Sequence, residues 1–126
     1  MPDERKTLAL ISHDGKKDTM VAFATTYKAV LERYELVGTK TTGQLLRDRC
    51  GLNVKLMLSG PYGGDAQIAS QVAEGHIEAV FFFVDPLTAN PHDPDIQGLL
   101  RICNVHNVPL ATNAATASFI ISTKAL

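Results

Sequence analysis

The sequence lacks the features that mark several classes of protein. Its two cysteines, Cys50 and Cys103, lie far apart, and neither has a second Cys or a His at the spacing of a structural zinc site. Its 12 Lys and Arg residues nearly balance 13 Asp and Glu residues, with no basic block for nucleic acid. No apolar run reaches the ~18 residues of a membrane span, and no signal peptide is evident. These absences predict a soluble cytoplasmic protein with reduced thiols, and neither nucleic acid nor a membrane as a partner.

Length and organisation favour one folding unit. A chain of 126 residues can bury roughly two-thirds of its unfolded surface, which is enough for a core without disulfides or metals. The sequence has no repeat at a fixed period, no low-complexity tract and no internal linker. We therefore expect residues 1–126 to form a single domain.

Five short apolar runs have the continuous hydrophobicity of strands that are covered on both faces of a parallel sheet. They span residues 7–12, 36–39, 54–58, 79–84 and 108–111. Apolar residues at intervals of three and four predict helices over about 15–34, 63–74, 96–103 and 114–121, and another helical stretch follows Lys40-Thr-Thr-Gly43 and runs through Leu45 and Leu46 to Gly51. This alternation predicts an α/β fold, with a doubly wound, five-stranded parallel sheet flanked by helices.

The chemistry of the sequence collects after the predicted strands. The stretch Leu58-Ser-Gly-Pro-Tyr-Gly-Gly-Asp65 follows the third strand, Asp85-Pro86 follows the fourth, and the loop 90–95 comes shortly after it. In open α/β sheets, ligands bind beyond the carboxyl ends of the strands. These loops are therefore the predicted functional site.

Part of this set suits a phosphate group. Hydroxyls and free backbone N–H groups at helix N-termini cradle phosphate, and a lysine adds positive charge. The candidates are Lys17, Thr39, Thr41, Thr42, Ser59 and Gly60. The sequence contains no GxGxxG after the first strand and no GxxxxGK[ST] motif, so it shows no fingerprint of a redox cofactor or a P-loop.

Ordinary structural roles also exist for the candidate acids. Asp65 could be a helix N-cap, Asp95 a first-turn acid that suits the helix dipole, and Asp85 an acid that closes a strand before proline. His13 and His92 are harder to explain structurally, because both lie in strand-end loops beside carboxylates. The convergence of all these loops at one sheet edge favours the functional interpretation.

Taken together, these motifs resemble the methylglyoxal synthase family. The resemblance is carried by Ser12-His13-Asp14 with Lys17, Thr39-Lys-Thr-Thr-Gly43, Leu58–Asp65, Phe83-Val-Asp-Pro-Leu87, Pro91-His-Asp-Pro-Asp95 and Ala111-Thr-Asn113. They occur in order at successive strand ends, from the first strand to the last helix. The combination is much more specific than any one of its short motifs.

The resemblance implies conversion of dihydroxyacetone phosphate to methylglyoxal and inorganic phosphate. It implies no metal or organic cofactor, and a homohexamer that phosphate inhibits. By position, Asp65 takes the C3 proton, His92 and Asp95 assist at the carbonyl and hydroxyl oxygens, and Asp85 is an active-site neighbour. The phosphate-binding positions are Lys17, Thr39, Thr41, Thr42, Ser59 and Gly60, with His13 in the same pocket.

One departure from the family pattern and two rival functions stay open. Lys40 stands inside the threonine loop, where many relatives have a small residue, often glycine. The first rival is a non-catalytic ligand-binding module, like the regulatory domain of carbamoyl phosphate synthetases. The second is a metal-dependent phosphohydrolase with oxygen and imidazole ligands. Its ligands would be His13, Asp14, Asp85, His92 and Asp95.

Overall fold

The structure, a computed structural model, describes residues 5–59, 62–87 and 96–122, so the predicted site residues Gly60, His92 and Asp95 lie outside the described residues. Its strands are β1 (Thr7–Ser12), β2 (Glu35–Gly38), β3 (Val54–Leu56), β4 (Ala79–Phe83) and β5 (Leu110–Ala111). They form one sheet in the order β3-β2-β1-β4-β5, and every neighbouring pair is parallel. The predicted five-stranded parallel sheet is confirmed.

The helices are α1 (Lys17–Thr26), α2 (Lys28–Leu31), α3 (Lys40–Cys50), α4 (Gly64–Ala73), α5 (Ile96–Val105) and α6 (Ala114–Ser122). A short 3₁₀ turn, Asp14–Lys16, precedes α1. The chain steps from β1 outward to β2 and β3, and then returns to build β4 and β5 on the other side of β1. Right-handed crossovers therefore place α1 and α3 on one face of the sheet and α4 and α5 on the other.

Alternate side chains of the central strands build two cores. In β1, Leu8 and Leu10 join the core with α1, α3 and α6, whereas Ala9 and Ile11 join the core with α4 and α5. All five residues of β4 are buried as well. A strand buried on both faces needs a continuous apolar run, which is why the central strands were readily predicted.

The predicted long helix over 15–34 is wrong in one respect, because it breaks at Tyr27 (φ −107°, ψ 23°) into α1 and α2. The hydroxyls of Thr25 and Thr26 donate to the carbonyls four residues earlier, at 2.8 and 3.0 Å. Threonine hydroxyls that bond back in this way weaken and bend a helix. The apolar periodicity runs across the break because Leu31 of α2 packs into the same core as α1.

Some strands end earlier than predicted. The third stops at Leu56 rather than Leu58, where the Leu58 N–H bonds to the Gln67 side chain, at 2.7 Å, instead of to a neighbouring strand. The second stops at Gly38, and Thr39 becomes the N-cap residue of α3. In both places, residues that hydrophobicity alone assigns to a strand belong instead to the connection that follows it at the carboxyl edge of the sheet.

Both cysteines are buried free thiols, as predicted. Burial raises the pKa of the Cys103 thiol to about 11, so it stays protonated at neutral pH and is a poor nucleophile. Across residues 5–59, 62–87 and 96–122, no helix is long and apolar enough to cross a membrane.

Candidate active site

The site begins where β1 and β4 lie side by side. The chain leaves these two strands toward opposite faces of the sheet, which opens a crevice beyond their carboxyl ends. The predicted site residues His13 and Asp85 meet there. The Asp85 backbone N–H donates to His13 Nδ1 at 2.9 Å, and the His13 backbone N–H donates to the Phe83 carbonyl at 3.0 Å.

The contact to Asp85 fixes the tautomer of His13. A ring nitrogen that accepts a hydrogen bond carries its lone pair, so the neutral ring holds its proton on Nε2. The ring is buried and stands edge-on to Phe82, with centroids 5.3 Å apart. The neutral His13 ring therefore carries its proton on Nε2 and has little freedom to turn.

The Asp85 carboxylate is held by the backbone around it. Its Oδ1 accepts the Leu87 N–H at 3.0 Å. Its Oδ2 lies against Gly15, so closely that a Cβ at position 15 would clash with it. The interpretation of Asp85 as an acid that closes a turn is confirmed, and the backbone N–H of the same residue holds the His13 ring.

A second group of predicted residues shares a groove of about 530 Å³. The groove is lined by Lys17, Lys40, Thr41, Gln44, Leu45, Asp48 and Ser59. Lys17 and Thr41 lie in the first turns of α1 and α3, the helices that follow β1 and β2, and Ser59 lies in the loop after β3. The sheet therefore gathers half of the predicted phosphate-binding set at one place, which we call the anion groove.

Lys17 enters the anion groove from the first residue of α1. Its side chain is 17% exposed, and its Nζ donates to Asp14 Oδ1 at 2.7 Å and to the Ser12 carbonyl at 3.3 Å. An ammonium group has three N–H donors. Within the described part of the chain, two are used and the third is left for an anion.

The N-terminus of α3 also faces this region. Thr39 is its N-cap residue but makes no side-chain capping hydrogen bond. The first N–H groups of a helix have no intrahelical partner, and the helix dipole adds about half a positive charge there. An uncapped helix start beside two lysines suits a phosphate group.

The three predicted threonines do not play the same part. Thr41 lines the anion groove, but Thr39 and Thr42 are only 3% and 1% exposed. The Thr42 hydroxyl lies 3.1 Å from the Ser12 hydroxyl and joins the start of α3 to the end of β1. Thr42 therefore connects α3 to β1 and does not line the groove.

The loop after β3 is wound tightly so that Asp65 sits in the first turn of α4. The Ser59 carbonyl accepts the backbone N–H groups of both Tyr62 and Gly64 at 3.0 Å. Gly63, with φ 95°, is the N-cap residue of α4, and Asp65 follows inside the helix. The hypothesis that Asp65 is an N-cap is therefore wrong.

Gly64 lets this loop close, because a Cβ there would overlap the Leu58 carbonyl. We expect Gly64→Ala to lower the free energy of unfolding by ~1–3 kcal/mol, as overpacking does. Gly98→Ala is the matched control, since Gly98 is also helical and has nothing within 4 Å of the added methyl. It should raise stability by ~0.5–1 kcal/mol. Urea denaturation measures the free energy of unfolding of both variants. Equal changes in the two variants would contradict the close contact at Gly64.

The last shared motif, Ala111-Thr-Asn113, lies at the same sheet edge but outside the anion groove. Asn113 caps α6 through Oδ1, which accepts the Thr116 N–H at 2.8 Å. Thr112 and Asn113 line a separate cavity of about 320 Å³ together with Lys16. None of the described residues lines both cavities.

Among residues 5–59, 62–87 and 96–122, no group of three or more His, Cys, Asp or Glu side chains is placed to hold a metal ion. His92 and Asp95, which the phosphohydrolase hypothesis also uses, lie outside those ranges.

Sequence reasoning missed four residues that line the anion groove. They are Lys40, Gln44, Leu45 and Asp48. The signal was their helical spacing: positions 40, 44 and 48 recur every four residues along one face of α3. A ligand bound at the start of α3 therefore has this face of the helix beside it, along the two turns that follow the start.

Comparison with known proteins identifies close relatives. Residues 19–112 match the model of the MGS-like domain family. Methylglyoxal synthase from Ralstonia nicotianae is 56% identical over 118 residues, covering 94% of this chain and 87% of the relative. Methylglyoxal synthase from Thermus thermophilus is 57% identical over 117 residues, or 93% of each chain. The crystal structure of methylglyoxal synthase from Elizabethkingia anophelis NUHP1 is 45% identical, with a TM-score of 0.92 over 94% of this chain and 78% of that one.

Proposed function

Because the chain belongs to the methylglyoxal synthase family, we propose that the site at the carboxyl edge of its sheet carries out the reaction of that family. The chain is a carbon–oxygen lyase that converts dihydroxyacetone phosphate to methylglyoxal and inorganic phosphate. The observation that supports the proposed site best is the anion groove, where Lys17, Thr41 and Ser59 converge from the ends of three strands.

The reaction needs a base, groups that stabilise negative charge on the substrate oxygens, and a set of residues that bind the phosphate, which we call the phosphate grip. Asp65 removes a proton from C3, and the C–H electron pair forms a C2=C3 double bond with negative charge on the C2 oxygen. The C3 hydroxyl then gives up its proton and becomes an aldehyde, the enediolate electrons form a C1=C2 double bond, and the C1–O bond to phosphate breaks, with that proton passing to the leaving phosphate. The released enolate takes up a proton at C1 and becomes methylglyoxal. No electron acceptor is needed, because the redox change is internal to the substrate.

A carboxylate with an ordinary pKa of ~4 is a weak base for a C–H bond. Most of the rate must therefore come from donors that stabilise the enediolate and from placing the base within hydrogen-bonding reach. We assign His92 and Asp95 to the carbonyl and hydroxyl oxygens, Asp85 to the neighbouring position that holds His13 through its backbone N–H, and His13 to the same pocket.

The phosphate grip also decides the product. Phosphate leaves only when its C–O bond stands perpendicular to the enediolate plane, where the breaking bond overlaps the π system. A phosphate held in that plane would leave the intermediate to be reprotonated. The proposed grip consists of Lys17, Thr39, Thr41, Thr42, Ser59 and Gly60, with Thr39 and Thr42 shaping it from their buried positions.

One assay separates this function from its rivals. Purified protein and dihydroxyacetone phosphate should yield methylglyoxal and phosphate in equal amounts, and EDTA should not change the rate. A phosphohydrolase would release dihydroxyacetone instead and would lose activity in EDTA. A ligand-binding module would bind phosphate and form neither product.

We further propose that residues 1–126 form one domain, that this domain assembles into a homohexamer, and that phosphate regulates it. Buried free thiols support a cytoplasmic location, where cysteines stay reduced. Light scattering at micromolar concentration should give about six times the chain mass of 13.6 kDa. A monomer in that measurement would overturn the assembly and leave the lyase function untouched.

A further inference from the structure

Lys40 has no role in the proposed mechanism, yet it lies in the anion groove. It is the first residue of α3, and its backbone N–H donates to the Leu58 carbonyl at 3.4 Å. Lys40 is exposed, and it lines the groove with Lys17, Thr41 and Ser59. Across the described parts of the chain, Lys40 appears in no ion pair.

Lys40 adds positive charge to the groove, whereas the charge of Lys17 is partly neutralised. The Lys17 ammonium is already bonded to the Asp14 carboxylate, which cancels part of its field. Asp48, the only carboxylate among the groove-lining residues described, accepts a hydrogen bond from Gln44 Nε2 at 3.0 Å. A phosphate monoester carries nearly two negative charges at neutral pH. Lys40 therefore brings the groove nearer to electrical balance with its ligand.

We propose that Lys40 is a second phosphate-binding cation, and that it determines how tightly this chain holds the phosphate group of its substrate and inorganic phosphate. The inference rests on the proposed function, and it deepens that function at one residue. Lys40 sits where the resemblance leads us to expect a small residue, so this grip is more cationic than the family pattern alone implies. Its four-carbon stem lets the ammonium reach an anion held at the start of its own helix.

This role predicts a particular pattern in the kinetics. The phosphate is bound in the substrate complex and stays bound until its C–O bond breaks, so Lys40 should stabilise the ground state and the transition state about equally. Such uniform binding lowers KM and leaves kcat nearly unchanged. An exposed ammonium also acts through solvent, so added salt should weaken its effect.

The test compares Lys40→Gln with Arg47→Gln. Arg47 is exposed on the last turn of the same helix, outside the groove lining, and the change removes the same unit of charge. At low ionic strength, Lys40→Gln should raise KM and the calorimetric Kd for inorganic phosphate together, by ~3–10-fold, with kcat within twofold. Arg47→Gln should change both constants less than twofold. Near 1 M salt, where the Debye length is ~3 Å, Lys40→Gln should match wild type.

The outcomes separate this inference from the proposed function. Unchanged phosphate binding in Lys40→Gln would overturn it, as would equal losses in both variants, which would indicate only the overall field of the protein. A Lys40→Gln protein that lost kcat but kept KM would also overturn it. If wild type binds phosphate but forms no methylglyoxal, the proposed function fails, while the calorimetry still decides whether Lys40 binds the anion.

Discussion

Asp65→Asn is expected to keep the fold, bind phosphate and lose turnover by ~10²–10⁴-fold, the usual cost of losing a positioned general base. The amide has the size of the carboxylate but cannot accept a proton from carbon. Steady-state kinetics with dihydroxyacetone phosphate measures the loss. Calorimetry with phosphate and thermal unfolding show that the site and the fold are retained.

The position of Asp65 in α4 makes this test sharper than the sequence alone allowed. Because Gly63 is the N-cap residue, the substitution leaves the N-cap position of α4 unchanged, and the first turn loses the favourable interaction of a carboxylate with the helix dipole. That interaction is worth ~0.3–1 kcal/mol. Asp18→Asn is the matched control: Asp18 is a first-turn acid of α1 with a side chain 97% exposed, and its change should leave turnover within twofold.

A second measurement reports directly on the abstracted proton. With the base removed, Asp65→Asn should no longer exchange the C3 hydrogen of bound substrate stereospecifically in deuterated water. If the variant is folded, binds phosphate and turns over within tenfold of wild type, Asp65 is not the base. That result would transfer the role to Asp95, the other acid of the proposed set.

The sequence predicted the sheet well because its central strands are buried on both faces. All of β4 is apolar for that reason, and no other element could bury so continuous a run. The helix predicted from the sequence is too long, because Leu31 keeps the apolar spacing across the break. The break follows the back-bonded hydroxyls of Thr25 and Thr26, and periodicity carries no information about such local hydrogen bonds.

The candidate site was predictable as a set of loops but not as a set of contacts. Strand ends identify the edge at which His13 and Asp85 lie, but the hydrogen bond between them spans 72 positions of the chain. Thr41 and Thr42 look alike in sequence, and only the turn of α3 sends one into the groove and the other to Ser12. Such distinctions depend on helix phase, which a short polar motif does not fix.

Lys17→Ala is expected to weaken substrate and phosphate together. Hydrogen bonds to charged groups contribute ~1.5–3 kcal/mol, so we expect KM and the Kd for phosphate each to rise by ~10–100-fold. Phosphate resembles both the product and the anionic end of the substrate, which is why the two constants should move in parallel. Calorimetry and initial-rate kinetics measure them separately.

A purely structural role for Lys17 predicts something different. Its ammonium also ties Asp14 and the Ser12 carbonyl together, so the variant could lose binding only because the loop after β1 loosens. Lys16→Ala is the control, because it removes the same charge one residue away, from a side chain that lines the other cavity. It should change both constants less than threefold. If Lys17→Ala lowers the melting temperature but binds phosphate and substrate normally once folded, then Lys17 organises the loop and the anion is held elsewhere.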